Sequence, residues 1–416
     1  MDLRKRIFSD IKISKKHLLA IILILLAPIL YIHNFPKDKR FQPSGLNSKF
    51  DFDISQPFSK YIEHSREIIL KARVDLDSKT ISGEKILEWN SPFILYPQAK
   101  CKNKKRGILL IHGLTDSPFT MRELGENLRE KCFIVYGLLL TGNGTRPADL
   151  LNVDYHEWIR QVEYGVSELS KETKEIYLGG YSNGGLLSIN YALDHDNIRG
   201  LILFAPSLVL PSIVNIAPIF KYIYKWFWLY DDEDVVKYES FTSNGAEQVR
   251  LMAELVNSKL KKDNSRIKNL KVFAVFANED VTINAPESVK TLINNTNPKN
   301  RHIIIYHQNN SDIDPKTIRE KNIFPINASN KNKNFIGMSH LSLAIKPDNY
   351  WAGSKAAYRN CLHYEKGSDK YKKCKTSKDV YFGEITKENL KEYDGIARST
   401  YNPFIEDLYL QLEKFI

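Results

Sequence analysis

Apolar runs at residues 107–111, 133–138, 175–179, 200–204 and 271–276 recur along the chain, each short and rich in β-branched or aromatic side chains. Helix-length segments lie between them, at 120–130, 155–170 and 186–193. Strand, helix, strand repeated in this way predicts a mostly parallel sheet covered by helices on both faces. A run at 302–306 reads as the last strand. The chain then ends in a helix, with Asn402 as cap, Pro403 in the first turn, and Phe404, Leu408, Leu412 and Phe415 on one face. One core of this kind, with insertions, can use nearly all of a 416-residue chain.

Ahead of that pattern, Arg4, Lys5, Arg6, Lys12, Lys15 and Lys16 precede an uncharged apolar run at 18–32. At helical rise the run spans roughly 23 Å, enough for a bilayer core when Tyr31, His33 and Phe35 occupy the interface. Bulky residues follow Ala27 where a cleavage site would need small ones, so the expectation is an uncleaved signal anchor over residues 1–33. Basic residues stay on the cytoplasmic side, which places the rest of the chain across the inner membrane on the periplasmic side. Residues 34–57, polar and containing Pro36, Pro43 and Gly45, read as a tether, and 58–416 as the folded domain. Within that domain a helix is expected at 60–71 and extended pieces near 72–74 and 85–89. The net charge of +11 comes from scattered Lys and Arg rather than one basic helix, so no nucleic-acid partner is expected.

The four cysteines fit an oxidising compartment. Cys101 and Cys132 sit just before two neighbouring strands, and Cys361 and Cys374 close a short polar loop. Proximity favours the pairings Cys101–Cys132 and Cys361–Cys374. Residues 206–269 interrupt the alternation with Phe220, Tyr222, Tyr224, Trp226, Phe227, Trp228 and Tyr230 in quick succession, then a periodic helix at 246–260. Such an insertion between core strands reads as a helical lid. Phe220, Trp226 and Phe227 are candidates to line an acyl-binding cleft, or else pack the lid onto the core.

The string Gly179-Gly180-Tyr181-Ser182-Asn183-Gly184-Gly185 follows one strand and precedes a helix. A G-x-S-x-G pattern in that setting is a sharp turn that lifts a serine hydroxyl above the sheet edge. Gly180 and Gly184 are needed because a Cβ would collide across the bend. Upstream, Ile111-His112-Gly113-Leu114-Thr115 ends another strand, and Gly113 lets the Leu114 N–H turn toward the same place. With the Asn183 N–H it supplies two donors for an oxyanion. His112 reads as a brace for that loop rather than a base.

These strings, with Thr141-Gly142-Asn143-Gly144-Thr145, resemble the α/β-hydrolase superfamily, nearest to its monoacylglycerol-lipase, carboxylesterase and serine-aminopeptidase-like branch. Asn143 stands where that branch usually carries His. Lys237-Tyr238-Glu239-Ser240-Phe241 also resembles its lid region, and the likeness runs over residues 97–416. It implies an eight-stranded α/β-hydrolase fold with Ser182 as nucleophile, an acid after the seventh strand and a histidine after the eighth. Asp280 in Asn278-Glu279-Asp280 is the preferred acid, with Glu279 the competitor. For the base, Ser339-His340-Leu341 resembles the family's histidine loop, and His307 is the alternative; 308–334 then reads as a polar surface insertion. The implied activity is ester hydrolysis on acyl glycerols or other lipid esters, with neither cofactor nor metal. Acyl transfer, amide or peptide cleavage on envelope components, and a catalytically silent membrane-tethered binding module are the competing readings.

Overall fold

The computed structural model describes residues 36–78, 80–98, 101, 106–308, 313–330 and 334–416. The expected signal anchor at 1–33 lies outside these residues. Among the described residues no helix is long and apolar enough to cross a membrane.

The chain enters along the domain surface into α1 (Phe58–Ala72) and α2 (Gly83–Asn90), then β1 (Phe93–Leu95) and β2 (Arg106–Ile111). Next come α3 (Phe119–Glu130), β3 (Phe133–Leu138), α4 (Tyr155–Ser170), β4 (Glu175–Tyr181), α5 (Asn183–Asp194) and β5 (Ile198–Phe204). The insertion at 206–269, expected as a lid and called the lid below, holds α6 (Ala217–Ile223), the pair β6 (Trp226–Trp228) and β7 (Phe241–Thr242), α7 (Ser243–Lys262) and α8 (Ser265–Asn269). The core resumes with β8 (Lys271–Ala277), α9 (Ala285–Asn295) and β9 (Arg301–His307), then α10 (Pro315–Ile318) and β10 (Ile323–Asn327). After a long irregular stretch come α11 (Asp369–Thr376), β11 (Tyr381–Gly383), α12 (Lys387–Glu392), β12 (Ile396–Arg398) and α13 (Ile405–Phe415).

Eight strands form one sheet in the order β1-β3-β2-β4-β5-β8-β9-β10. Only the β1–β3 pairing is antiparallel. Central strands buried on both faces need helices above and below. Neighbouring strand residues point to opposite faces. Gly125 of α3 lies against Leu110 while Gly165 of α4 lies against Leu109, which puts the two helices on opposite sides. The nucleophile-bearing strand β4 sits between β2 and β5, so its carboxyl end opens at the middle of the sheet edge.

Four expectations need correction. Residues 85–89 are helical, not extended: Ser82 caps α2 by accepting from the Lys85 N–H, and Ile86, Leu87 and Trp89 are buried. The polar stretch 308–334 is more than a surface insertion. Its Ile323–Asn327 segment pairs with β9 and forms the edge of the sheet, where Pro325 costs no interior ladder bond. Strand β9 is therefore not the last. The stretch 36–57 lies on the domain instead of hanging free. Ser44 bonds Asp149, Asn47 bonds the Asn143 carbonyl, Phe50 is buried, and Phe41 meets Trp226 edge-on at 5.5 Å. Both disulfides pair as proximity suggested, Cys101–Cys132 and Cys361–Cys374.

Candidate active site

Strand β4 ends at Tyr181 and helix α5 begins at Asn183, leaving Ser182 alone to make the turn. It does so at φ 53°, ψ −112°, a left-handed conformation that a non-glycine residue holds only when its surroundings enforce it. The surroundings are backbone. A Cβ on Gly180 would lie 2.2 Å from the Gly184 carbonyl oxygen, and one on Gly184 would lie 2.1 Å from that of Ile111. The elbow is thus pressed against the end of β2, which brings the Gly113 loop beside the serine.

From Ser182 a line of hydrogen bonds runs inward. His340 Nε2 is 3.1 Å from Ser182 Oγ, and His340 Nδ1 is 2.5 Å from Asp280 Oδ2. Asp280 Oδ1 accepts from the Thr282 and Ile283 N–H groups at 2.7 and 3.1 Å, which fixes the orientation of the side chain. The fold thus brings together the serine, acid and histidine that the sequence singled out, across 158 residues of chain. Glu279, the competing acid, instead accepts from the Gln308 N–H. His307 ends β9 in register with Asn327, so its backbone serves the sheet edge.

The two candidate oxyanion donors belong to residues next to the elbow. Leu114 follows Gly113, whose Cβ position is 3.5 Å from the Ser182 Cβ, and Asn183 opens α5. The helix N-terminus adds a favourable field for negative charge there. The loop carrying Leu114 is held from several sides. His112 Nδ1 donates to the Gly113 carbonyl at 2.7 Å and its Nε2 accepts from the Leu140 N–H at 3.0 Å. Burial pulls its pKa down to about 4, so the ring is a neutral brace, as the sequence implied.

Other contributors were not foreseen. Asn143 Nδ2 donates to the carbonyls of Leu114 and Asp116, making the residue that departs from the family pattern a tie for the oxyanion loop. The lid adds two more ties: Tyr238 N–H to the Thr115 carbonyl at 2.7 Å, and Lys237 Nζ to Asp116 Oδ2 at 2.8 Å. Ser207 Oγ sits 2.7 Å from Ser182 Oγ, within hydrogen-bond distance, and can donate to it while Ser182 faces His340. The loop at residues 141–145 and the string at 237–241 were the sequence signals that lay nearest to these, and neither specified the contacts.

The aromatic run of the lid packs largely on itself. Phe220 stacks on Tyr224 and Phe227 at 4.7 and 4.8 Å, and Trp226 is 1% exposed. Among the described contacts none brings Phe220, Trp226 or Phe227 to Ser182. Ile219, Tyr222 and Trp228 instead face outward.

Residues 102–308 match the family model described as Serine aminopeptidase, S33. A thermostable monoacylglycerol lipase of Bacillus sp. is 32% identical over 112 residues, 27% of this chain and 45% of that protein. A carboxylesterase of Bacillus subtilis is 27% identical over 123 residues, 29% of this chain and 50% of that protein. The chain spans about half the length of these curated relatives. A soluble variant of monoglyceride lipase from Saccharomyces cerevisiae, solved with a substrate analog, superimposes with a TM-score of 0.41 at 16% identity. That match covers 55% of this chain and 86% of the yeast one.

Proposed function

Because this chain belongs to the α/β-hydrolase superfamily, in its monoacylglycerol-lipase, carboxylesterase and serine-aminopeptidase branch, we propose that it hydrolyses carboxylic esters with Ser182, His340 and Asp280 as its catalytic unit. What supports the reading is the unbroken line from Ser182 Oγ through the imidazole to the Asp280 carboxylate.

The chemistry follows from that line. Ser182 Oγ attacks the ester carbonyl as its proton passes to His340 Nε2, 3.1 Å away. The carbonyl oxygen becomes an oxyanion held by the Leu114 and Asn183 N–H groups. Asp280 keeps Nδ1 protonated, so that Nε2 is the free base, and stabilises the imidazolium once it forms. The imidazolium returns the proton to the departing alkoxide, leaving Ser182 acylated. Water then attacks the acyl-enzyme, gives one proton to Nε2, and the carboxylic acid leaves as Ser182 regains its hydrogen.

For the substrate we propose acyl glycerols or other lipid esters, presented at a membrane to which residues 1–33 tether the domain. Three observations support this: the apolar run at 18–32 behind its basic flank, the outward-facing Ile219, Tyr222 and Trp228 of the lid, and the relatives' names. The two disulfides support an extracytoplasmic domain. An ester panel of graded acyl length tests the substrate class: hydrolysis should rise with acyl length to a maximum and vanish in Ser182→Ala. Turnover by the Ser182→Ala variant would end the proposal. A reporter active only in the periplasm, fused after Asn34, should be active; activity only of its cytoplasmic counterpart would refute the topology.

A further inference from the structure

The chain between the His340 loop and α13 lies beyond the segment that the family model matches, and part of it grips the catalytic centre from behind. Strands β11 and β12 pair in parallel. They are tied to the histidine loop by the Ile336 N–H to the Phe382 carbonyl at 2.8 Å, Ser339 Oγ to the Ser399 carbonyl at 2.6 Å, and Ser399 Oγ to the Gly337 carbonyl at 3.1 Å. At the end of these strands, the fully buried Glu384 receives Arg398 in a fork, Nε to Oε1 at 2.7 Å and Nη2 to Oε2 at 3.0 Å.

This pair reaches both partners of the serine. Glu384 Oε2 accepts the backbone N–H of His340 at 3.2 Å. Arg398 Nη2 donates to Thr282 Oγ1 at 2.7 Å, and the Thr282 N–H donates to Asp280 Oδ1. We propose that Arg398 and Glu384 are positioning residues: one rigid, charge-neutral pair that sets the separation of the base loop from the acid loop and keeps the Asp280–His340 hydrogen bond in line. The inference rests on the catalytic reading above.

Removing one member of a buried ion pair leaves the other's charge uncompensated. That gives the two single variants opposite electrostatic signatures. Without Arg398, the Glu384 anion beside the His340 backbone favours imidazolium. Without Glu384, the Arg398 cation near Asp280 and His340 disfavours it. The other groups facing the imidazole stay in place in both variants: Asp280, the Tyr181 ring at 5.8 Å, and beyond it the Asp116–Lys237 pair. Burial works against the Arg398 charge, yet Glu384 and then Asp280 outweigh it and raise its pKa, so the guanidinium is charged throughout the working range.

The test is the pH profile of kcat/KM for Arg398→Gln, Glu384→Gln, the double variant and Arg398→Lys, with circular dichroism to confirm folding. Arg398→Gln should move the acid limb up by about half to one pH unit, and Glu384→Gln should move it down by a similar amount. The double variant should return it near wild type, while kcat falls roughly 10- to 100-fold and KM stays within about twofold. Arg398→Lys keeps the charge without the fork, so its limb should stay in place with only part of the rate recovered. Limbs that move together, or not at all, overturn the proposal. If Arg398→Gln does not fold, the nearly isosteric Glu384→Gln and the Arg398→Lys variant decide the matter alone. Wild-type turnover that survives Ser182→Ala would sink the catalytic reading itself, an outcome distinct from unshifted limbs in an active enzyme.

Discussion

Replacing Asp280 by Asn changes one atom of the site and should cost it most of its activity. The Asp280 side chain is 0% exposed, and its Oδ1 already accepts two backbone N–H groups, from Thr282 and Ile283. An asparagine must keep its carbonyl oxygen there, because an NH2 facing two donors would leave three donors without an acceptor. Its amide nitrogen then points at His340 Nδ1. The imidazole answers by accepting at Nδ1 and carrying its proton on Nε2, the atom 3.1 Å from Ser182 Oγ. In that tautomer it cannot take the serine proton, and the imidazolium of the transition state has lost its buried counter-charge. The expected loss in kcat is roughly 10⁴-fold, about 5.5 kcal/mol of transition-state stabilisation. Both backbone hydrogen bonds survive, so the melting temperature should move by only a few degrees and KM by about twofold or less. Kinetics on a p-nitrophenyl ester, alongside thermal melting, measure both. A loss smaller than tenfold in a folded variant would show that Asp280 does not set the tautomer.

Gly184→Ala should stop Ser182 from reacting at all, since its Cβ would fall 2.1 Å from the Ile111 carbonyl oxygen; active-site titration with a fluorophosphonate measures this, and near-normal titration would contradict the elbow's packing. Asn143→Ala removes the side chain that ties the Leu114 and Asp116 carbonyls, so kcat should fall by about 1–3 kcal/mol of transition-state stabilisation with KM little changed. Asp234 is buried, and burial pushes its pKa up to about 6, despite hydrogen bonds from Trp351 Nε1 and the Val236 N–H. A carboxyl with a raised folded-state pKa lends stability below its ordinary range near 4 and loses it as pH rises through 6. Asp234→Asn should therefore gain on wild type in melting temperature between pH 4.5 and pH 7.5, and a pH-independent difference would refute the assignment.

How far the sequence reveals this molecule depends on how local each cause is. Strands β2, β3, β4, β5, β8 and β9 announce themselves because a parallel strand buried on both faces must be continuously apolar, as Ile108–Ile111 and Phe273–Phe276 are. Edge elements carry no such demand. Strand β10 was read as part of a polar insertion because Pro325 and Asn327 suit a strand with only one neighbour. In α2, three buried apolar residues among eight are too few to separate a helix from an extended piece, and only the Ser82 cap settles it.

The site divides along the same line. Ser182 was legible because its strained turn requires glycines within two residues of it, a local constraint. Asp280 and His340 came from resemblance, since nothing near His340 says that 158 residues of chain fold back to bring it to Ser182. Asn143, Ser207, Glu384 and Arg398 act only through partners remote in sequence. An isolated Arg or Asn has no pattern that distinguishes a buried tie from a surface side chain. The lid aromatics left two readings open, because a dense aromatic run suits a cleft and a packed layer equally; stacking among Phe220, Tyr224 and Phe227 uses much of their surface.

The account stands on Ser182, His340 and Asp280 acting as one unit, and the most direct measurement is a mass-spectrometric count of fluorophosphonate adducts on the intact protein. Wild type and His307→Ala should each take up one adduct, mapped to the peptide carrying Ser182, while Ser182→Ala takes up none and His340→Ala labels at least a hundredfold more slowly. Rapid labelling of Ser182 in folded His340→Ala, or loss of labelling in His307→Ala instead, would contradict it.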